Sequence, residues 1–242
     1  YISYVTGLVK GDLGTSLRTK RPVLTEVQGR YMNTVQLTLL SLTWSVIAGV
    51  LIGVWSGRNR SKWQDYTGMT VAVSGISMPS FWIGFMLIMV FAVKYRLLPT
   101  TGAGSFKNLI LPSITLGVSI AAIIARFTRS SVIEVLKEDY VRTARAKGLR
   151  EKTVIWKHVF RNCMISVVTV VGLQFGFLLG GSVVTETVFA FPGLGSLLIE
   201  SVNYRDYPAI QSLILIFSLH FVLINLVVDV LYAVLNPEIQ LS

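Results

Sequence analysis

Five stretches of the chain carry no Asp, Glu, Lys or Arg: residues 35–55, 67–93, 109–125, 164–185 and 207–228. Each is 17 to 27 residues long, against the roughly 20 that an α-helix needs to cross about 30 Å of hydrocarbon. None shows the alternating segments of about 10 residues that mark the strands of a membrane barrel. The windows take 109 of the 242 positions and leave all 34 charges to the other 133. The pattern predicts an all-α membrane protein with five spanning helices.

Composition agrees: 52% of residues are apolar, 14% are charged and the mean hydropathy is +0.64, whereas soluble domains run near 45–50% apolar and about 25% charged. A net charge of +10 would raise nucleic acid as a partner for a soluble chain. In a membrane chain the side on which Lys and Arg accumulate decides orientation instead. The connection 56–66 holds Arg58, Arg60 and Lys62, and the stretch from Arg126 to Arg161 holds ten basic residues. Both are therefore expected in the cytoplasm, with 94–108 and 187–206, carrying three basic residues and one, outside. This assigns 1–34 as an external segment, 35–235 as the transmembrane domain with a cytoplasmic region at 126–163 and an external loop at 187–208, and 236–242 as a cytoplasmic tail. Five basic residues in 1–34 oppose this orientation and are outvoted. An external start predicts a sixth helix before Tyr1, with both ends of the complete bundle in the cytoplasm.

Small residues and polar intrusions mark the helices. Gly49, Gly53 and Gly57 recur every four residues after Ser41 and Ser45, and Gly172, Gly176 and Gly180 repeat the device. Such rows let membrane helices approach closely, either within one bundle or toward a partner subunit or pore. Pro79, within Ser77-Met78-Pro79-Ser80, removes a backbone hydrogen bond and is expected to kink or break the second window. Ser77, Met78 and Pro79 are therefore candidates for a path or gate, as are Gln174, Asn225 and Asp229, polar groups at membrane depth that either brace the bundle or take part in gating.

The chain offers no catalytic constellation. It has no phosphate-binding glycine loop, no nucleophile elbow and no paired-histidine zinc motif, so it is not expected to be an enzyme. Cys163 is its single cysteine, and His158 and His220 are its two histidines. This rules out a disulfide framework within the chain and a His/Cys metal cage, and no cofactor is expected. Residues 126–163 are too polar to span and rich in helix formers. Asp139 is placed to cap a short helix over 140–147 that Gly148 would end in a left-handed conformation. Ala144, Ala146 and Gly148 keep that helix slim, and Arg142, Arg145 and Lys147 make it positive. It suits docking into a groove of a soluble partner, the plainer alternative being contact with anionic lipid headgroups.

The run Glu138-Asp-Tyr-Val-Arg-Thr-Ala-Arg-Ala-Lys-Gly148, with Lys157-His-Val-Phe-Arg-Asn162 after it, resembles the cytoplasmic coupling motif of binding-protein-dependent ABC importer permeases. The dipeptide, oligopeptide, nickel and glutathione group is the nearest in pattern. Gly11-Asp-Leu-Gly14 with Ser16, Arg21-Pro-Val23, Gly172-Leu-Gln174, Phe191-Pro-Gly-Leu-Gly195, Arg205-Asp-Tyr-Pro208, Asn225-Leu-Val-Val-Asp229 and Asn236-Pro237 extend the likeness over essentially the whole chain. Arg142-Thr143-Ala144 and Arg161 depart from the general importer pattern in a way normal for this group. The resemblance implies a type I importer bundle in a bacterial plasma membrane, one of two homologous permeases enclosing the path. Two ATPase subunits beneath would bind ATP and Mg²⁺, and a substrate-binding protein outside would deliver small peptides, glutathione or a metal chelate such as nickel. It makes Asp139, Tyr140, Arg142, Thr143, Ala144, Arg145, Ala146, Lys147 and Gly148 the coupling element. It also makes Phe191, Pro192, Gly193, Arg205, Asp206 and Tyr207 part of an external gate and platform. A secondary transporter is the alternative, but the inverted repeats and midplane charges common in such proteins are missing from the sequence. A membrane enzyme fits less well still, because Cys163, His220 and Asp229 stand at separate levels.

Overall fold

A computed structural model of the chain describes residue 7 and residues 11–235, the side chains at 165, 166, 179, 181, 229 and 231–235 excepted. Its elements are α1 (Val23–Arg58), α2 (Trp63–Ser77), α3 (Ser80–Leu87, continued in π-helical turns over Ile88–Lys94), α4 (Phe106–Val135), α5 (Asp139–Ala146), α6 (Glu151–Thr153, followed by π-helical turns over Val154–Val159), α7 (Phe160–Val188), α8 (Leu194–Asn203) and α9 (Tyr207–Leu235). Among the described residues three helices, α1, α4 and α9, are long and apolar enough to cross a membrane. Two bent pairs, Trp63–Ser77 with Ser80–Lys94 and Glu151–Met164 with Val167–Leu178, raise the number to five when each is counted as one span. Each apolar window lies in one of these five, and the all-α architecture follows.

The helices outrun their windows. α1 starts at Val23 rather than near 35, so the latter part of the expected external segment is helix, entered directly after Pro22. α4 likewise continues to Val135. Charge marks where the apolar surface ends, while the backbone goes on as helix for as long as side chains such as Glu26 and Arg30 can reach water or partners.

The chain divides into two compact units, 1–41 with 80–116 and 176–223, and 42–79 with 117–175 and 224–242. The described parts of the segments expected outside (11–34, 94–108 and 187–206) all belong to the first, and 58–66 and 126–163 to the second. In the first unit Val23, Val27, Leu194, Leu197, Ala209 and Leu213 form a buried cluster under Leu13, Tyr31 and Phe217. Tyr31 donates its hydroxyl to His220 Nε2 at 2.5 Å, while His220 Nδ1 donates to the Ile216 carbonyl.

In the second unit the glycine row of α1 packs on α4. A Cβ at Gly49 would lie 2.7 Å from the Ala121 carbonyl oxygen, one at Gly53 2.6 Å from that of Ala125, and one at Gly57 2.8 Å from Val132 Cγ1. Ser45 extends the seam by donating to the Gly117 carbonyl. The row therefore packs within the chain, exchanging side-chain bulk for dispersion contact along two backbones. The α7 row behaves differently: Gly172 is pressed against Val228, whereas a Cβ at Gly180 would meet nothing within 4 Å.

Pro79 breaks its helix. Met78 is extended at φ −90°, ψ 131°, as a residue preceding proline is driven to be, and α3 restarts at Ser80.

Candidate functional site

The connection between α4 and α7 builds a self-contained element. Glu138, extended at φ −66°, ψ 143°, occupies the cap position, and no side chain caps the helix. Its carbonyl accepts from Val141 and Arg142. The expected cap, Asp139, is instead the first helical residue, where its charge favours the positive end of the helix dipole. At the far end Gly148 takes φ +76°. Its N–H bonds to the Arg145 carbonyl, and that of Leu149 reaches back to Ala144, a paired closure that satisfies the last carbonyls. The left-handed glycine is as expected, with the helix one residue earlier at each end.

Val141 and Ala144 are buried and seat α5 on its own chain, while Asp139, Tyr140, Arg142, Thr143, Arg145, Ala146, Lys147 and Gly148 are exposed. Ala144 is thus a seat rather than part of the exposed face of α5. Two ties fix the element. Asn162 of α7 donates to Tyr140 Oη at 2.8 Å and to the His158 carbonyl, and burial pushes the Tyr140 phenol above its ordinary pKa. Arg145 pairs through Nε and Nη2 with both oxygens of Glu151 at 3.2 and 2.9 Å. α5 is thereby tied to α6 and to the start of α7.

Asp65 and Arg129 form a second two-point fork in the same unit, at 2.5 and 2.7 Å. The carboxylate is buried and accepts also from the Ser61 N–H. The pair closes one end of a cleft that Ser77 and Met78 border further along α2. Gln174 and Asn225 are half-buried and are not among the residues lining this cleft. The side chain of Asp229, and Asn236 with Pro237, lie outside the described residues.

In the first unit the residues expected at the external platform separate into two kinds. Arg205, with φ +55°, and Tyr207 are exposed. Phe191, Gly193 and Asp206 are buried and Pro192 is half-buried, so these hold the loop rather than present it. Asp206 accepts from Ser16 Oγ and from the N–H groups of Leu17, Arg18 and Ala209. Burial works against its charge, yet these donors hold the carboxyl below its ordinary pKa.

Sequence reasoning passed over Glu186, which looks only like the charge that ends the fourth window. It is fully buried, accepts from Thr34 Oγ1 at 2.8 Å and from the Ser196 N–H at 2.9 Å, and lies against Gly193. Thr34 in turn accepts from the Leu194 N–H, and Asn33 donates to the Pro192 carbonyl. A carboxylate just before Phe-Pro-Gly-Leu-Gly was the available signal. Glu200 was also missed: it is held below its ordinary pKa by hydrogen bonds, first from Arg30 and then from Arg18.

Residues 49–241 match the family described as binding-protein-dependent transport system inner membrane component. The chain is 56% identical, over 237 residues, to the glutathione transport system permease protein GsiC of Escherichia coli strain K12, spanning 98% of this chain and 78% of that protein. Its identity to the Salmonella choleraesuis counterpart is 55% over the same length and coverage. In fold it is similar to a chain of the MetNI methionine ABC transporter, with a TM-score of 0.76 at 17% identity over 88% of this chain and 97% of that one. It is similar also to a chain of an amino acid ABC transporter, at 0.67 and 16%, over 86% and 92%. The chain belongs to the inner membrane components of binding-protein-dependent transport systems: it is a multi-pass bacterial inner membrane protein and a permease subunit of an ABC importer. Such an importer includes a substrate-binding protein and an ATPase.

Proposed function

We propose that this permease carries glutathione or comparably small peptides inward, as one of two homologous membrane subunits above two ATPase subunits. In this reading α5 is the coupling helix. The observation that carries it is α5 itself: an eight-residue helix seated by Val141 and Ala144, closed by Gly148 and tied to α7 through Tyr140 and Asn162, with Arg142, Thr143 and Lys147 turned outward. Short, preorganised and basic, it can follow a partner groove as a rigid body without reshaping the spans. ATP and Mg²⁺ belong to the ATPases, and this chain performs no hydrolysis and holds no cofactor of its own. The exposed Arg205 and Tyr207 meet the binding protein, while Glu186, Phe191, Gly193 and Asp206 keep the surface in shape.

The cargo reading is supported by the likeness to glutathione transport system permeases, and the Gly172-Leu-Gln174 and Phe191-Pro-Gly-Leu-Gly195 runs agree with it. The assembled complex provides the test. Arg142→Glu with Lys147→Glu reverses the charge of the exposed α5 face without touching a span. ATPase retention on purification, or stimulation of hydrolysis by loaded binding protein, is expected to fall by about tenfold, the size of one charge-assisted contact. Full stimulation in the double variant would place coupling elsewhere in the chain.

A further inference from the structure

Helix α2 presents two unlike flanks within its unit. Gly68, Ala72 and Gly75 face inward: Ala72 packs with Ala122 and Ala125, and a Cβ at Gly75 would stand 2.8 Å from Val118 Cγ1. Val71, beside Ala72 and Gly75 of that packed flank, borders a crevice of about 160 Å³ walled by Trp44, Ala48, Ile52 and other apolar groups, with no charge or hydroxyl among its lining residues. The other flank, Tyr66, Thr70, Ser74 and Ser77 with Met69 and Val73 between, borders a cleft of about 490 Å³ that has the Asp65–Arg129 pair at one end and Met78 at the other. The Asp65–Arg129 pair stands at the end of α2 next to the basic connections, and the hydroxyls further along, at membrane depth, face protein or a watered path more readily than lipid. The contrast between the two flanks therefore identifies which side of α2 is wet.

We propose that this cleft is a cargo subsite on the translocation path, taking the free carboxylate of a short peptide at Arg129 and its N–H and ammonium donors along the hydroxyl wall of α2. It deepens the importer reading above and rests on it. The donor and acceptor supply matches such a ligand. Asp65 occupies Nε and Nη2 of Arg129, leaving Nη1 outside the fork to meet a carboxylate. Ser74 and Ser77 give their hydroxyl protons to the carbonyls of Thr70 and Val73 on their own helix. Their oxygens keep lone pairs for incoming donors. Because Asp65 neutralises most of the Arg129 charge, the end holds a carboxylate through the Nη1 hydrogen bond rather than through net charge, and so does not trap it.

Size agrees as well. The volume lies in the ~300–1,000 Å³ range of small-molecule sites. From Asp65 to Ser77 is twelve residues of helix, about 18 Å at 1.5 Å per residue. At ~3.3–3.6 Å per extended residue that length holds about five residues at most. The subsite therefore selects short peptides, tripeptides among them, that bear a free C-terminus.

The test uses the complete transporter, both permeases with ATPases and binding protein, in proteoliposomes, and follows uptake of radiolabelled glutathione. Ser74→Leu and Thr70→Leu project bulk into the cleft from positions outside the packed flank. Each is expected to lower uptake by about tenfold or more, since one misplaced methylene in a pocket is worth about 10- to 200-fold, while hydrolysis stimulated by loaded binding protein stays near the parent level. Ser74→Ala, which removes only an oxygen, is expected to show a smaller loss. Uptake by both leucine variants equal to the parent overturns the subsite while leaving the importer reading intact. Absence of ATP-driven uptake by the parent complex overturns that reading, and the subsite with it. Failure of the leucine variants to co-purify with the second permease would show that the cleft is a subunit interface, which also overturns the proposal.

Discussion

The carboxylate of Glu186 occupies the space that a side chain at Gly193 would need. Glu186 closes α7 and Gly193 opens α8, so this one contact sets how the chain turns between them. Ser196 completes the turn by exchanging hydrogen bonds with the N–H and carbonyl of Gly193. A buried carboxylate is tolerable here because Thr34, Ser182 and the N–H groups of Gly195 and Ser196 meet it.

Gly193→Ala is accordingly expected to destabilise the protein by about 1–3 kcal/mol, the usual cost of forcing extra volume into a packed site. Glu186→Gln keeps the shape but turns an amide donor toward existing donors, at a cost of about 1–3 kcal/mol. Thermal unfolding of the purified complex checks both. Unfolding temperatures equal to the parent would mean that the loop tolerates repacking.

Gly148→Val is expected to cost about 1–2 kcal/mol locally, because φ +76° is a conformation that a β-branched residue resists. Gly148→Asn, which tolerates the left-handed region better, is expected to lose less. The readout is stimulation of hydrolysis by loaded binding protein at normal membrane insertion, and equal stimulation in both variants would show that the closure of α5 is not needed for coupling.

Glu200 gives the first unit an acid limit. Its folded-state pKa is lowered, chiefly by Arg30 and then Arg18, so the unfolded chain takes up protons more readily. The stabilisation is present above the ordinary glutamate value of 4.5 and is lost as pH falls below it and through the lower folded value. Its side chain is about one-third exposed, and solvent screening keeps the effect modest. Unfolding temperature recorded from neutral pH down through that region is expected to fall less steeply for Glu200→Gln than for the parent. Parallel curves would remove Glu200 from the acid response.

Single cysteines at Lys62 and Lys152, in a Cys163→Ala background, are expected to resist an impermeant thiol reagent applied outside intact cells, while Lys107 and Asn203 positions react. Labelling of position 152 from outside would reverse the orientation inferred from basic residues.

The spans were legible because the absence of charge over about 20 residues has one physical outcome in a bilayer. Helix ends were not: α1 begins at Val23 because its first turns can be solvated as well as buried, which hydropathy does not register. Pro79 and Gly148 announced their roles, since each restricts or frees φ in a way that few contexts override. Ala144 misled, because a small residue reads the same whether it admits a partner or seats a helix on its own chain. Glu186 and Glu200 stayed hidden because their meaning lies in partners 152 and 170 positions away, and spacing along a chain does not encode such pairs.

ATP-dependent uptake of radiolabelled glutathione into proteoliposomes holding both permeases and both ATPases, with binding protein on one side and ATP on the other, tests the central claim most directly. The account predicts uptake that requires ATP and loaded binding protein together and that collapses when Arg142 and Lys147 are both changed to Glu. Uptake that proceeds without ATP under an imposed ion gradient would contradict it, because the chain would then be acting as a secondary transporter.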